Sequence, residues 1–353
     1  MHSRGADVAP AGRAREVERG ARDVLDPVHF DYLAGGAGDE RTLTGNEDAF
    51  TRRRLVPRVL RGPGPVDLST DLPGVRLAAP VVVAPTAFHR LAHRDGEVAT
   101  AAGVAAAGGL LTVSTMATTA VEDIAAAGAA LWFQLYVQPD RAFTAALVAR
   151  AEAAGCRALV LTVDSPVRGR HARDERHGFT ELPAGVVCEN LRAADGRVRD
   201  LVVDPDLGWD AVAWLRGTTS LPVLVKGVLH PADARLAVEH GVDGIVVSNH
   251  GGRQLDGAVS TLDALPAVAE AVAGRVPVLL DGGVRSGVDA LVALALGADA
   301  VMLGRPVLWG LALGGADGVR AVLEDLTDEL AHAMALVGAH RPADLTPDLV
   351  TVP

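Results

Sequence analysis

The amino-acid sequence predicts an α/β fold: a (β/α)8 TIM barrel with a short N-terminal helical cap and a long loop after the fourth strand. Three observations carry that prediction. From residue 80 onward, eight short runs rich in Val, Leu and Ile recur. The runs are continuously apolar rather than alternating, as parallel strands buried on both faces should be. Ala-rich amphipathic stretches separate them and often end in Gly, so β and α units alternate around a closed sheet. A doubly wound open sheet is the competing arrangement, and no G-x-G-x-x-G fingerprint follows the first run to support it.

In chain order, residues 1–22 are rich in Arg, Ala and Gly, lack the apolar stretch of a signal peptide, and are expected to be a flexible N-terminus. Residues 23–353 are expected to form a single domain. DVLDPVHFDYLAGGAGDE (23–40) reads as one helix ending in a Gly-rich turn, and the stretch before Pro80 as a short hairpin. The eight runs are PVVVAPTA (80–87), LLTVST (110–115), LWFQLYV (131–137), ALVLTVD (158–164), PVLVKGV (222–228), GIVVSNH (244–250), PVLLDGG (277–283) and DAVMLGRP (299–306). Helices are expected over 95–108, 119–128 and 141–155. Gly108, Gly128, Gly155, Gly241, Gly274 and Gly297 suit the left-handed residue that ends a helix. The polar, Gly/Pro-punctuated segment 165–208 reads as a long loop on the catalytic face, and 316–338 as a closing helix.

Composition excludes several functions. Hydrophobic residues make up 49% of the 353, enough for a large core. A formal charge of −11 argues against a nucleic-acid groove. No apolar run approaches the roughly 18–20 residues that span a bilayer, so no membrane partner is expected. Cys156 and Cys188 make neither a disulfide framework nor a metal cluster, and no metal is expected; the default setting is reducing and cytoplasmic. Of 33 basic residues only Lys226 is lysine, and Tyr32 and Tyr136 are the only tyrosines. Residues that survive such a biased composition are candidates for work that Arg or Phe cannot do.

In this fold the reactive groups sit at the C-terminal ends of the strands. There the sequence places Gln134 and Tyr136, Thr162 and Asp164, Lys226, then Ser248, Asn249, His250 and Arg253. The seventh run ends in Asp281, Gly282, Gly283 and Arg285, and the eighth in Gly304 and Arg305. Burying so many ionisable groups is costly unless a ligand and mutual pairing satisfy them. The Gly-rich turns and two Arg after the last two runs suit a phosphate. His250 is the candidate general base, with Asp164 to orient its imidazole. Lys226 is a compact cation able to stabilise a developing anion, and Arg253 can hold a carboxylate bidentately.

SNHGGRQLD (248–256) resembles the active-site signature of the FMN-dependent α-hydroxy-acid oxidases and dehydrogenases, a family that includes glycolate, lactate and hydroxymandelate oxidases. FDYLAGGAGDE, APTA, FQLYV, LTVDSP, LPVLVKG, LLDGGVRSG and LGRPV follow in family order over nearly the whole chain. The resemblance implies an FMN-binding barrel. Pro85, Thr86 and Ala87 would face the flavin ring, with Ser114, Gln134, Thr162 and Ser248 also in the cofactor site. Lys226 would stabilise negative charge on the flavin. Asp281, Gly283, Arg285, Gly304 and Arg305 would hold the phosphate. His250 with Asp164 would take the proton, Arg253 and Tyr32 would bind the substrate carboxylate, and Tyr136 would contact the reacting oxygen.

Two departures from the family stand out. His171 falls where the family has a second carboxylate-binding Arg, flanked here by Arg170 and Arg173. Either a neighbouring Arg replaces it, or the carboxylate grip is weaker, which would fit a larger substrate or an ester, amide or carrier-bound hydroxy acid. Met116 stands where glycolate oxidase has a bulky Trp, which makes room for a larger, mandelate-like side chain. The expected reaction converts an (S)-2-hydroxy acid to a 2-oxo acid, with dioxygen reduced to hydrogen peroxide. A carrier or quinone is the alternative acceptor. A homotetramer or octamer is the expected assembly.

Overall fold

The structure, a computed structural model, describes residues 13–62 and 64–352. Three helices precede the barrel: α1 (Arg13–Val24), α2 (Pro27–Ala34) and α3 (Arg41–Thr51). The single helix expected over 23–40 is broken at Asp26–Pro27. The Asp26 carboxylate accepts from the Val28 amide at 2.8 Å, and Pro27 occupies the first helical turn, where its missing N–H costs nothing. Residues 13–22, expected within a flexible N-terminus, are helical and pack on the C-terminal helix. Residues 1–12 lie outside the described residues.

β1 (Arg54–Leu55) pairs with the C-terminal β12 (Val350–Thr351), and β2 (Thr70–Leu72) with β3 (Val75–Leu77) forms the expected hairpin. The eight apolar runs become β4 (Val81–Val83), β5 (Leu110–Val113), β6 (Ala130–Leu135), β7 (Leu159–Thr162), β8 (Val223–Val228), β9 (Gly244–Val247), β10 (Val278–Leu280) and β11 (Ala300–Leu303). They pair in parallel and close into a barrel, β11 returning to β4. Helices α4 (Gly96–Ala106), α5 (Val121–Ala125), α6 (Arg141–Ala153), α7 (Ala172–His177), α8 (Asp210–Thr218), α9 (Pro231–Glu239), α10 (Thr261–Val272), α11 (Gly287–Ala295) and α12 (Arg305–Val337) complete the chain. The six predicted helix-ending glycines all have positive φ. α12 is two helices joined at a kink, Gly314 and Gly315, and its second part matches the predicted closing helix.

Strand parity explains both the continuous runs and the position of the site. Along each strand one residue faces the helices and the next faces the barrel axis. Val81, Val83, Leu159, Leu161, Val223 and Val225 belong to the outer core, while Val82, Trp132, Val160, Leu224, Val246 and Leu279 form a separate inner one. The β2–β3 hairpin plugs the N-terminal end, where Leu72 and Leu77 join the inner core and the Trp132 indole donates to the Pro73 carbonyl at 3.1 Å. Two residues further along, the same inward parity gives Gln134, Thr162, Lys226, Ser248 and Asp281. The inner core therefore changes from apolar to polar within one step up the barrel.

Candidate active site

A cavity of about 700 Å³ opens at the C-terminal face of the barrel. Of the residues expected in the site, Asp164 and Ser248 alone do not line it. Ser248, expected against the cofactor, is fully buried, and its hydroxyl accepts from Lys226 Nζ at 2.8 Å and from the His250 amide at 3.0 Å. It fixes the positions of two functional groups.

Lys226 is 3% exposed and pairs with Asp281 Oδ2 at 2.9 Å. Burial disfavours its charge, but Asp281 and Asp164 outweigh that and raise its pKa, so it is a fixed cation. The neighbouring Gly227 sits at a register break between β8 and β9 with φ +115; a Cβ there would lie 2.5 Å from the Asp164 Cβ. This bulge lets the Asp164 and Lys226 strand ends approach each other.

His250 Nδ1 meets Asp164 Oδ1 at 2.9 Å. Burial alone would raise the Asp164 pKa. The His250 ring, Lys226 and the Ser165 hydroxyl outweigh it and hold the carboxyl below its ordinary value. His250 adopts a left-handed backbone, φ +60, a strain of roughly 1–2 kcal/mol held by the Ser248 bond. The Ser165 hydroxyl, which the sequence reading did not single out, donates to Asp164 Oδ1 at 3.1 Å, lies 3.5 Å from His250 Nδ1 and also bonds Tyr136. Its signal was a hydroxyl directly after a strand-end carboxylate.

On the opposite wall, the Arg253 guanidinium lies over the Tyr32 ring, 5.0 Å from its centroid, and Tyr32 packs against Phe88 and Phe179. Arg253 Nη1 donates to the carbonyls of Tyr32 and Gly35, both at 2.8 Å. Arg305 takes the carbonyls of Leu33, Ala34 and Gly35, and that of Gly251. Two guanidiniums thus cap the C-terminus of α2, where the helix dipole is negative. Asn46 of α3 and Asn249 exchange amide hydrogen bonds of 2.9 and 2.7 Å and fasten the cap to the His250 loop.

His171 lies on the cavity wall, but both ring nitrogens are engaged: Nδ1 faces Asp174 Oδ2 at 3.0 Å and Nε2 faces the Arg253 carbonyl at 2.8 Å. Neither remains for a substrate carboxylate. The flanking arginines named as replacements are also committed. Arg170 pairs with Glu175 on the surface, and Arg173 bridges Asp31 and Glu40.

The sequence matches the FMN-dependent dehydrogenase family over residues 21–352. The chain belongs to that family. It is 46% identical over 348 residues to the L-lactate oxidase of Nostoc sp., covering 94% of this chain and 95% of that one. It is 47% identical over 334 residues to the 4-hydroxymandelate oxidase of Amycolatopsis orientalis, covering 92% and 93%. A crystal structure of mandelate oxidase with (S)-2-phenylpropionate superposes with a TM-score of 0.88 at 47% identity, covering 94% of this chain and 95% of that one. This FMN-dependent dehydrogenase is an enzyme of the 2-hydroxy-acid oxidase type, with FMN as cofactor.

Its residues fit FMN at three points. The described partners of Arg305 are backbone carbonyls; burial and the Arg253 and Arg285 guanidiniums pull its pKa well below the usual arginine range, a repulsion that a phosphate relieves. Arg285 is paired with Glu47 at 2.8 Å. Asp281 Oδ1 is buried without a partner; as an acceptor it suits a ribityl hydroxyl, whereas the phosphate role expected for it would set anion against anion. Finally, Gln134 links Thr162, to which it donates at 2.9 Å, with Ser114, from which it accepts at 3.3 Å. This row across three adjacent strands matches the polar edge of a flat ring.

Proposed function

We propose that this enzyme oxidises an (S)-2-hydroxy acid bulkier than glycolate, mandelate-like in its side chain, and passes the electrons to dioxygen to give hydrogen peroxide. His250, held by Asp164 from behind and opening onto the same cavity as Lys226 and Met116, is the observation that carries this reading.

Pro85, Thr86, Ala87, Ser114, Gln134, Thr162, Lys226 and Asp281 would hold FMN along the barrel mouth, with Gly283, Arg285, Gly304 and Arg305 around its phosphate. When bound, FMN supplies the two-electron acceptor for the C–H oxidation. His250 Nε2 takes the hydroxyl proton, while Asp164 holds Nδ1 and stabilises the imidazolium that forms. Lys226 would present a desolvated positive charge to the flavin. Arg253 and Tyr32 orient the carboxylate, and Tyr136 donates to the oxygen that becomes the carbonyl. In sum the hydroxy acid loses two electrons and two protons, and dioxygen gains both pairs as peroxide.

Mixing the yellow holoenzyme anaerobically with a panel of 2-hydroxy acids should bleach the flavin, fastest with aryl side chains. Admitting air should restore the colour with one peroxide per bleaching event. A flavin that no 2-hydroxy acid bleaches overturns the reading. Recovery with quinone but not with air moves it to a dehydrogenase. No described helix is long and apolar enough to cross a membrane. We also infer a cytoplasmic homotetramer or octamer, which light scattering on the purified protein tests.

A further inference from the structure

We infer that Arg168, not His171, Arg170 or Arg173, is the long-loop cation that grips the substrate carboxylate opposite Arg253. The inference rests on the 2-hydroxy-acid reading and adds a specificity-determining residue to it. An anion entering the cavity meets few cations that are free to bind it. Lys226 is paired with Asp281, Arg285 with Glu47, and Arg305, held on four backbone carbonyls, is assigned to the cofactor phosphate. Arg253 has committed Nη1 to the end of α2.

Three arginines of the 168–173 stretch remain, and the structure sorts them. Arg170 and Arg173 form close ion pairs with Glu175 and with Asp31 and Glu40, and neither lines the cavity. Arg168 does line it. Its side chain is 70% exposed, and its one described ion pair is a loose 3.7 Å approach to Asp174 Oδ2, the oxygen already bonded to His171. Its guanidinium therefore has most of its donors available at little cost in broken contacts.

Placement favours the carboxylate end of the substrate over the far end of the cavity. Gly169, next to Arg168, packs so closely on the Arg253 loop that a Cβ there would lie 2.1 Å from the Arg253 carbonyl oxygen, and Tyr32, Arg168 and Arg253 line one cavity. A planar fork on each side of a carboxylate gives charge-assisted, bidentate contacts. His171 serves this arrangement indirectly: its bond to the Arg253 carbonyl joins the Arg168 loop to the Arg253 loop.

The test compares Arg168→Gln, Arg168→Lys and Arg170→Gln holoenzymes with the parent, using phenylglyoxylate as an unreactive ligand read by its perturbation of the flavin spectrum. Arg168→Gln should weaken phenylglyoxylate binding about tenfold or more and raise KM for mandelate while kcat changes little. It should also shrink the preference for mandelate over mandelamide. Arg168→Lys should recover part of the loss, and Arg170→Gln should bind like the parent. Unchanged binding and acid-over-amide preference in Arg168→Gln, or an equal loss in Arg170→Gln, overturns the inference. A parent enzyme that binds phenylglyoxylate but is reduced by no hydroxy acid fails the functional reading instead, and the binding comparison still decides the role of Arg168.

Discussion

His250 and Asp164 stand 86 residues apart in the chain, yet imidazole Nδ1 and carboxylate Oδ1 are 2.9 Å apart. With Nδ1 held, Nε2 is the nitrogen left to face the cavity, as a general base requires. His250→Ala should leave FMN bound and slow flavin reduction by about 10²–10⁴-fold, the usual contribution of a positioned base. Stopped-flow reduction under anaerobic conditions measures this, and reduction at the parent rate would remove His250 from the role.

Lys226 sits in a slot shaped for a compact ammonium, 2.9 Å from Asp281 and 2.8 Å from Ser248. A guanidinium brings the same charge in a wide plane that the slot does not admit. Lys226→Arg should cut flavin reduction by about 10²-fold, the scale of one lost preorganised charge contact, and should weaken FMN binding. Full activity would show that charge alone matters.

Burial raises the Tyr136 pKa above its ordinary 10.0, the Asp164 charge raises it further, and the Ser165 bond and Arg253 only partly oppose them. The folded protein therefore favours the protonated phenol, which stays a donor as pH climbs through 10.0. Tyr136→Phe should lower kcat/KM by a ratio that is constant from pH 6 to about 10. A ratio that shrinks toward one below pH 10 would mean the phenol ionises in that range.

Gly283 has φ +89, and a Cβ on it would sit 2.3 Å from the Asn46 carbonyl oxygen. Gly283→Ala costs roughly 1–2 kcal/mol in backbone conformation alone, before α3 is pushed away. The variant should show a lower Tm and a weaker FMN dissociation constant by fluorescence titration. Loss of stability with unchanged FMN affinity would separate the turn from the cofactor site.

Much of this site was legible because strand parity is written locally. Gln134, Thr162, Lys226 and Asp281 each follow an inward-facing apolar residue by two positions, so their common face could be read from the runs. Contacts between loops were not legible. Nothing near His171 in the chain announces that the Arg253 carbonyl will occupy its Nε2, or that Asp31 and Glu40 will claim Arg173. Asn46 was missed because its partner is an amide 203 residues away. The break at Asp26–Pro27 was readable, since Asp before Pro is a standard helix start, but the apolar pattern running through it masked the cap.

Arg305 belongs to two halves of the molecule at once. Its guanidinium holds the last carbonyls of α2, the helix that presents Tyr32, and the Gly251 carbonyl beside His250. In the proposed function the anion that completes it is the phosphate of FMN. Loading FMN would then stiffen the wall against which the hydroxy acid is laid, and the order of events would be cofactor first, substrate second. Apoenzyme should be not merely colourless but poorly shaped to recognise its substrate.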